Sequence, residues 1–247
     1  MHIPLLPYLV LIATFLGFIN HVVSQAPIPN RQPGFVYRTG NAPVLLEAWV
    51  DLVCPDAQAG WPTYLAVADH YGPDLVQFSA LMFPLPYHRA AMASAKASFI
   101  ADELNSTLTF DFFQNSFDKQ EALYASNILD QPESYIFETY ATWAGEVGYD
   151  RTEFLRRLSD REDPARRQAI VEFKYGGTRG VFGTPQTYVN GALVYSDPHT
   201  WTLESWKEVI DPLLDSNSNN RLRRYVPRYP SMKTVKKNTR RWFGSWN

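Results

Sequence analysis

A hydrophobic run over residues 42–53 ends at Cys54, the only cysteine in the 247-residue chain. The run is rich in branched side chains, which predicts a buried strand. From residue 57 to residue 68 apolar residues recur at helical spacing, and Pro55 stands where a first helical turn tolerates proline. A second apolar run, 74–83, predicts another strand. Strand, helix and strand in this order predict one βαβ unit with parallel strands.

The middle of the chain changes to a helical period. A helix is expected over 107–124, and four further helices are predicted over 89–105, 133–148, 151–160 and 164–177. After this block two strand-like segments are joined by Asn190-Gly191, which supplies the positive φ angles of a tight hairpin turn. An amphipathic helix over 202–215 closes the pattern. The chain is therefore predicted to be α/β, with a βαβ unit, an inserted helical domain over about 89–177, and a ββα unit.

The first 24 residues predict entry into the secretory route. They form an apolar run that ends in small residues, and Val22 and Ser24 fit a signal-peptidase site. The alternative is an uncleaved anchor, but the run 3–19 is short for a membrane span and is interrupted by Pro7. We therefore predict a signal peptide over 1–24, no stable membrane span, and a mature protein that is secreted or lies in the endoplasmic reticulum lumen.

An oxidising compartment limits what a single cysteine can do. Cys54 has no partner for an internal disulfide, so it is buried, capped, paired with another chain, or a free reactive thiol. The sequon Asn105-Ser106-Thr107 agrees with this compartment and predicts glycosylation at Asn105, although such triplets also arise by chance. One cysteine and scattered histidines cannot form a closed zinc site, so no metal is predicted.

Charge is unevenly distributed along the chain. The net charge is −2, yet the chain from Arg221 onward contains nine Lys and Arg and no Asp or Glu, which leaves 14 basic and 25 acidic residues in the rest. Residues 216–247 are thus a basic C-terminal tail. Such a tail can bind a polyanion through 221–247, and the secretory route makes nucleic acid the least expected partner. The alternative is a disordered, soluble extension.

Three local features lie at the joints of this pattern. Cys54-Pro55-Asp56-Ala57 lies between strand and helix, Pro62 follows eight residues after the cysteine, and Val-Phe-Gly-Thr-Pro-Gln-Thr-Tyr-Val-Asn-Gly spans 181–191. With these features residues 43–215 resemble the thioredoxin-like superfamily, in particular its DsbA-type members with a helical insertion. The chain is also similar to a eukaryotic secreted group with a single-cysteine Cys-Pro-Asp-Ala or Cys-Pro-Asp-Ser motif. The resemblance implies a thioredoxin-like fold and a cis peptide bond before Pro185.

The resemblance implies thiol chemistry, but one residue departs from the family pattern. Ala57 stands where dithiol oxidoreductases carry the second cysteine, which resolves the mixed disulfide formed by the first. A monothiol site could still exchange disulfides through Cys54, with a protein or peptide thiol or with glutathione as co-substrate. Two alternatives stay open: a redox-inactive module that binds a peptide or ligand on the same fold, and a glutathione-dependent transferase or isomerase.

The position of Cys54 has opposing effects on its reactivity. At a helix N-terminus, free backbone N–H groups and the helix dipole stabilise a thiolate. Asp56, two residues later, places a carboxylate in the same turn and disfavours a second negative charge. The alternative is an inert core cysteine. An exposed Cys54 beside Pro185 would support a reactive site, whereas a buried one would argue against an enzyme.

A second candidate, His88, follows the second predicted strand. Parallel strands of a βαβ unit end at the same edge, so His88 could face Cys54 and act as a catalytic base. The alternative is a hydrogen-bonded loop histidine that anchors the helical block. In the family that the chain resembles, the residue before the cis proline presents its backbone to an extended substrate. The resemblance therefore implies substrate contacts at Pro55, Thr184 and Pro185.

Overall fold

The computed structural model describes residues 26–218; the predicted signal peptide and residues 219–247 of the basic tail lie outside them. Five strands form one sheet: β1 Phe35–Val36, β2 Val44–Val50, β3 Val76–Met82, β4 Gln186–Val189 and β5 Ala192–Val194. Their order is β1-β3-β2-β4-β5. β2 and β3 are parallel, with Val44 opposite Val76, and the other neighbours are antiparallel. The predicted βαβ unit and terminal hairpin are confirmed.

Seven α-helices accompany the sheet within residues 26–218. They are α1 Pro55–Tyr71, α2 Ala91–Asn105, α3 Thr109–Lys119, α4 Glu133–Val147, α5 Arg151–Ser159, α6 Pro164–Thr178 and α7 Leu203–Ser218. Helices α2 to α6 lie between β3 and β4, which confirms an α/β fold with a helical insertion. The segment 107–124 is more broken than expected, because short 3₁₀ turns flank α3. No helix in the described part is long and apolar enough to cross a bilayer.

Strand β1 is an element that the sequence pattern does not predict. It spans two residues, which is too short for an alternating pattern, and pairs with β3 through Phe35 opposite Ala80. The buried carboxylate of Glu172 in α6 stabilises the position of β1. It accepts hydrogen bonds from the N–H groups of Gly34, which precedes β1, at 2.6 Å and of Met82 in β3 at 2.7 Å. Burial raises the pKa of Glu172 to about 7, although both N–H donors oppose the shift.

An aromatic cluster packs helix α1 against the helical block. Trp61 stacks on Phe110, with ring centroids 5.7 Å apart, and its ring centroid lies 5.1 Å from that of Phe117. The side-chain amide of Gln58 donates to the Phe117 carbonyl at 2.6 Å. Close packing of this kind leaves the first half of α1 little freedom to move. The cluster therefore fixes the position of Cys54, which directly precedes the helix.

Candidate functional site

Cys54 is the N-cap residue of α1, in the tight turn after β2. Its backbone is extended, with φ −82° and ψ 121°. Its carbonyl accepts from the N–H of Gln58 at 3.1 Å, and its own N–H donates to the Asp51 carbonyl at 2.9 Å. Pro55 is exposed at the first helical position, and Ala57 is fully buried where a second thiol would stand. The strand and helix thus place a lone thiol at a helix N-terminus.

The loop at Thr184 and Pro185 is the other wall of the site. The peptide bond between these residues is cis. The Cys54 thiol donates to the Thr184 carbonyl, with Sγ and oxygen 3.2 Å apart. The loop directly precedes β4, and the pairing of Trp49 with Gln186 brings it beside the end of β2. The structure therefore brings together the three residues that the sequence places at the thiol and the proline loop.

The Cys54 side chain lies inside the protein, and the residue is only 4% exposed. Burial raises the pKa of the Cys54 thiol, and the negative charge of Asp51 raises it further. The Thr184 side chain and the backbone N–H groups of Ala57 and Asp56 act in the opposite direction but do not cancel the effect of burial. Cys54 is therefore held mainly as the protonated thiol, which is the less reactive form.

Asp51 is the charged centre of this corner, and the sequence reasoning missed it. Its buried carboxylate accepts hydrogen bonds from the N–H of Val53 at 3.0 Å and the N–H of Leu85 at 3.2 Å. Nδ1 of His88 lies 2.8 Å from the same carboxylate. The signal in the sequence is an acidic residue inside the apolar run 42–53, because a buried charge requires partners.

His88 is bonded to Asp51, not to the thiol. It lies in the turn between β3 and α2, where its carbonyl also accepts from the N–H of Ala91 at 3.0 Å. Among the described contacts no hydrogen bond joins His88 to Cys54. The proposed role as a base toward Cys54 thus has no direct contact behind it, whereas the geometry fits a histidine that anchors the start of the helical block.

Asp56 contacts a histidine within hydrogen-bond distance at the exposed edge of the site. Its Oδ1 lies 2.9 Å from Nε2 of His199, and the two side chains are 60% and 59% exposed. We expected Asp56 to disfavour the Cys54 thiolate, but the carboxylate that raises the pKa of the thiol is Asp51. Within residues 26–218 no three His, Cys, Asp or Glu side chains are grouped so as to hold a metal ion.

Two tyrosine side chains lie close enough to Cys54 to interact with it electrostatically, and a phenylalanine precedes the proline loop. Tyr87, 67% exposed, packs edge-on against His88, and Phe182, 77% exposed, precedes the Thr184–Pro185 loop. Partial desolvation raises the pKa of Tyr87, and the negative charge of Cys54 raises it further. Desolvation also raises the pKa of Tyr124, with smaller contributions from the charges of Glu121 and Cys54. Both phenols therefore lie near the thiol. We call Tyr87, Tyr124 and Phe182 the aromatic rim.

The predicted glycosylation residue, Asn105, is exposed at the end of α2 and belongs to a different surface region. Its side-chain oxygen accepts from the N–H of Thr107 at 3.1 Å and from the Thr107 hydroxyl at 2.7 Å. These two hydrogen bonds use only the side-chain oxygen of Asn105, so the amide nitrogen takes no part in them, and the residue is exposed to solvent. Access of this kind is required for glycosylation of the sequon.

Comparison with known proteins supports the architecture but not a close relationship. No protein-family model matches the chain, and no curated protein matches its sequence. Among solved structures, it is similar to oxidised BdbD from Bacillus subtilis, with a TM-score of 0.60, 18% identity, and coverage of 77% of this chain and 97% of that one. It is also similar to Wolbachia pipientis alpha-DsbA1, with a TM-score of 0.58, 17% identity, and coverage of 78% and 95%. A third similar structure is Chlamydia trachomatis DsbA, with a TM-score of 0.56, 14% identity, and coverage of 78% and 95%.

The architecture defined by the sheet, the helical insertion and these similarities is a DsbA-like thioredoxin fold. Within that fold this chain carries one thiol, Cys54, and an alanine, Ala57, at the helical position three residues later. Identities of 14% to 18% indicate a shared fold, and function depends on the residues of the site.

Proposed function

We propose that this protein is a thioredoxin-like binding module of the secretory route, which holds an extended segment of a protein partner without dithiol turnover. The observation that carries the proposal is the state of Cys54: the thiol is buried, donates to the Thr184 carbonyl, and has a raised pKa. Because the thiolate is the reacting form, such a thiol reacts slowly at neutral pH. Ala57 also leaves any mixed disulfide without an internal resolving thiol.

The aromatic rim and the loop at Thr184 and Pro185 form the proposed binding surface. Tyr87 and Phe182 offer large apolar areas to solvent beside the thiol corner. Aromatic side chains contribute much contact area while losing little conformational entropy. An extended segment lying along the loop would use backbone hydrogen bonds, and its alternate side chains would contact the rim. The expected partner is therefore an unfolded or extended segment with apolar side chains.

Binding can be tested with reduced, carboxymethylated α-lactalbumin, an unfolded chain without free thiols, by fluorescence anisotropy. The double variant Tyr87→Ala/Phe182→Ala should weaken binding about tenfold, because truncation of interface aromatics has effects of this size. Cys54→Ser should bind within about twofold of the wild type, because the proposal assigns the thiol no covalent role. The matched control is Tyr135→Ala, which truncates a part-exposed aromatic residue on α4. Loss of binding in Cys54→Ser, or equal losses in the control and the double variant, would contradict the proposal.

Monothiol exchange is the second candidate, and one observation favours it. Cys54 keeps the helix N-terminal position, where the N–H groups of Ala57 and Asp56 lower the pKa of the thiol. In this mechanism the Cys54 thiolate attacks a disulfide; a new S–S bond forms, the old one breaks, and the departing sulfur takes up a proton. Release then requires attack by an outside thiol such as glutathione, since Ala57 cannot resolve the product.

Incubation with glutathione disulfide, followed by mass spectrometry, separates the two candidates. If the binding proposal is right, Cys54 gains no glutathione adduct and is alkylated by iodoacetamide more slowly than free cysteine. Cys54→Ser is the blank for both measurements. A rapid, stoichiometric adduct on Cys54 that reduced glutathione reverses would instead support monothiol exchange.

The secretory part of the proposal rests on the predicted signal peptide 1–24 and on the exposed sequon at Asn105. We expect secretory expression in eukaryotic cells to give a glycoprotein whose gel mobility increases after glycosidase treatment. Asn105→Gln should abolish this change. Thr107→Ala is a second test, because it destroys the sequon and leaves Asn105 in place. A chain that enters the secretory route but shows no glycan at Asn105 would remove the sequon from the argument.

A further inference from the structure

A cavity of about 580 Å³ lies in the helical block, between α2, α4 and the turn that joins α5 to α6. Its volume is within the usual range for sites that bind small molecules. Cys54 and the aromatic rim take no part in its lining. One side of its wall is apolar and includes Met92, Ile136 and Phe137. The cavity is therefore a second concave surface, separate from the proposed binding surface.

Two of the four cations in the lining have structural roles. The guanidinium group of Arg89 donates to the carbonyl oxygens of Ile128, Leu129 and Gln131, which holds the loop before α4. The buried ammonium group of Lys96 donates to the carbonyl oxygens at the end of α5, one of them Leu158 at 2.9 Å. These two groups fix the shape of the cavity, and they also bring positive charge to its wall.

The other two cations, Arg161 and Arg166, have no carboxylate partner within residues 26–218. Arg89 and Arg167 likewise make no ion pair in the described part of the chain, whereas six other arginines do: Arg31, Arg38, Arg151, Arg156, Arg157 and Arg179. The lining also contains the carboxylates of Glu133 and Glu162, so its four cations leave a net charge of about +2. The residues that line the cavity therefore carry more positive than negative charge.

Charges of both signs act on Lys96. Burial lowers the pKa of the Lys96 ammonium group; Asp163 and Asp160 oppose this shift, and Arg166 and Arg157, with smaller effects, add to it. An anion bound against Arg166 would reduce the repulsion between the like charges of Arg166 and Lys96. The apolar wall would at the same time accept a hydrocarbon body.

We propose that this cavity binds an amphipathic organic monoanion, whose carboxylate lies against Arg161 and Arg166 and whose hydrocarbon body packs on the apolar wall. The net charge of the lining fits one anionic group better than a polyphosphate, because Glu133 and Glu162 would repel additional negative charge. The site is independent of the thiol corner, so the proposal stands or falls separately from peptide binding.

Decanoate is the first probe, and isothermal titration calorimetry on the full chain measures its affinity. Decanoate should bind in the micromolar to millimolar range expected for a ligand of this size, and decanol, which lacks the charge, should bind about tenfold more weakly. Binding should shift the methyl resonance of Met92 in NMR spectra. A neighbouring cavity of about 300 Å³ lies between residues 27–33 and α6, and Ile28 is part of its lining. Equal binding of decanol and decanoate, or shifts at Ile28 instead of at Met92, would overturn the assignment.

The chain offers a matched control for the charged wall. Arg161→Gln/Arg166→Gln should weaken decanoate binding by tenfold or more, because charge-assisted hydrogen bonds contribute more than neutral ones. Arg167→Gln removes an exposed cation next to Arg166 that lines the neighbouring cavity, and it should bind decanoate like the wild type. These exposed side chains can change without loss of the fold. A wild type that does not bind decanoate, or an equal effect of Arg167→Gln, would refute the proposal.

Discussion

The region around Cys54 has a buried interior and an exposed edge, and the two differ in how their carboxylates are bonded. Inside, Asp51 is buried and accepts hydrogen bonds from two backbone N–H groups, with His88 as its third partner. At the exposed edge, Asp56 pairs with His199, and both side chains are largely exposed. Removing a partner from a buried charge is costly, whereas exposed ion pairs contribute little. The difference indicates that the interior stabilises the corner and the exposed edge is free to meet a partner.

Asp51→Ala is the substitution from which we expect the largest loss of stability. It leaves two N–H groups and the His88 imidazole without their acceptor in a buried place. We expect the free energy of unfolding to fall by about 3 kcal/mol, measured by chemical denaturation. Asp56→Ala is the matched control at the exposed edge and should cost less than about 0.5 kcal/mol. Equal losses in the two variants would show that interior and edge do not differ as proposed.

A second interior carboxylate, Glu172, gives a pH-dependent test. Because burial raises its pKa from 4.5 to about 7 in the folded protein, the folded state favours the protonated form. The resulting stability is fully present below pH 4.5 and is lost as the pH rises through about 7. Between these limits the wild type should lose about 3 kcal/mol relative to Glu172→Gln.

The informative quantity is the difference in the free energy of unfolding between the wild type and Glu172→Gln at each pH, because other titrating groups contribute equally to both proteins. Arg31 and the N–H groups of Gly34 and Met82 favour the carboxylate, whereas Asp102 favours the protonated form. Unfolding should be measured at several pH values between 4 and 8. A constant difference between wild type and Glu172→Gln would mean that the pKa of Glu172 is the same in the folded and unfolded protein and that burial does not shift it.

The fold was predictable because its signals are local. The apolar run 42–53, the helical spacing after Cys54 and the Asn190-Gly191 turn each specify one element without distant contacts. Strand β1 was not predictable in the same way, since two residues contain no period and Glu172 reaches them from 138 positions away in the chain. Long-range hydrogen bonds of this kind leave no pattern near the residues that they fix.

The sequence predicts which residues meet at the site, but it does not predict the burial and the pKa of the thiol. The order of elements brought Cys54 and the Thr184–Pro185 loop together, which a strand-to-helix joint and a characteristic loop could indicate. Burial of the thiol depends on packing across 130 positions of sequence, and no local feature reports it. The partner of His88 likewise depends on the burial of Asp51. The sequence drew attention to Asp56, whereas the carboxylate that raises the pKa of the thiol in the structure is Asp51.

Asp56→Asn should have the smallest effect of these substitutions. It tests directly whether Asp56 or the buried surroundings control the pKa of the Cys54 thiol. From sequence alone, removing this carboxylate should make Cys54 markedly more acidic. In the structure its charge is exposed to water and is shared with His199, while burial and Asp51 raise the pKa of the thiol. The pH profile of Cys54 alkylation by iodoacetamide should therefore shift by less than about half a pH unit in Asp56→Asn. A downward shift of more than one unit would show that the charge at the exposed edge, and not the buried surroundings, controls the thiol.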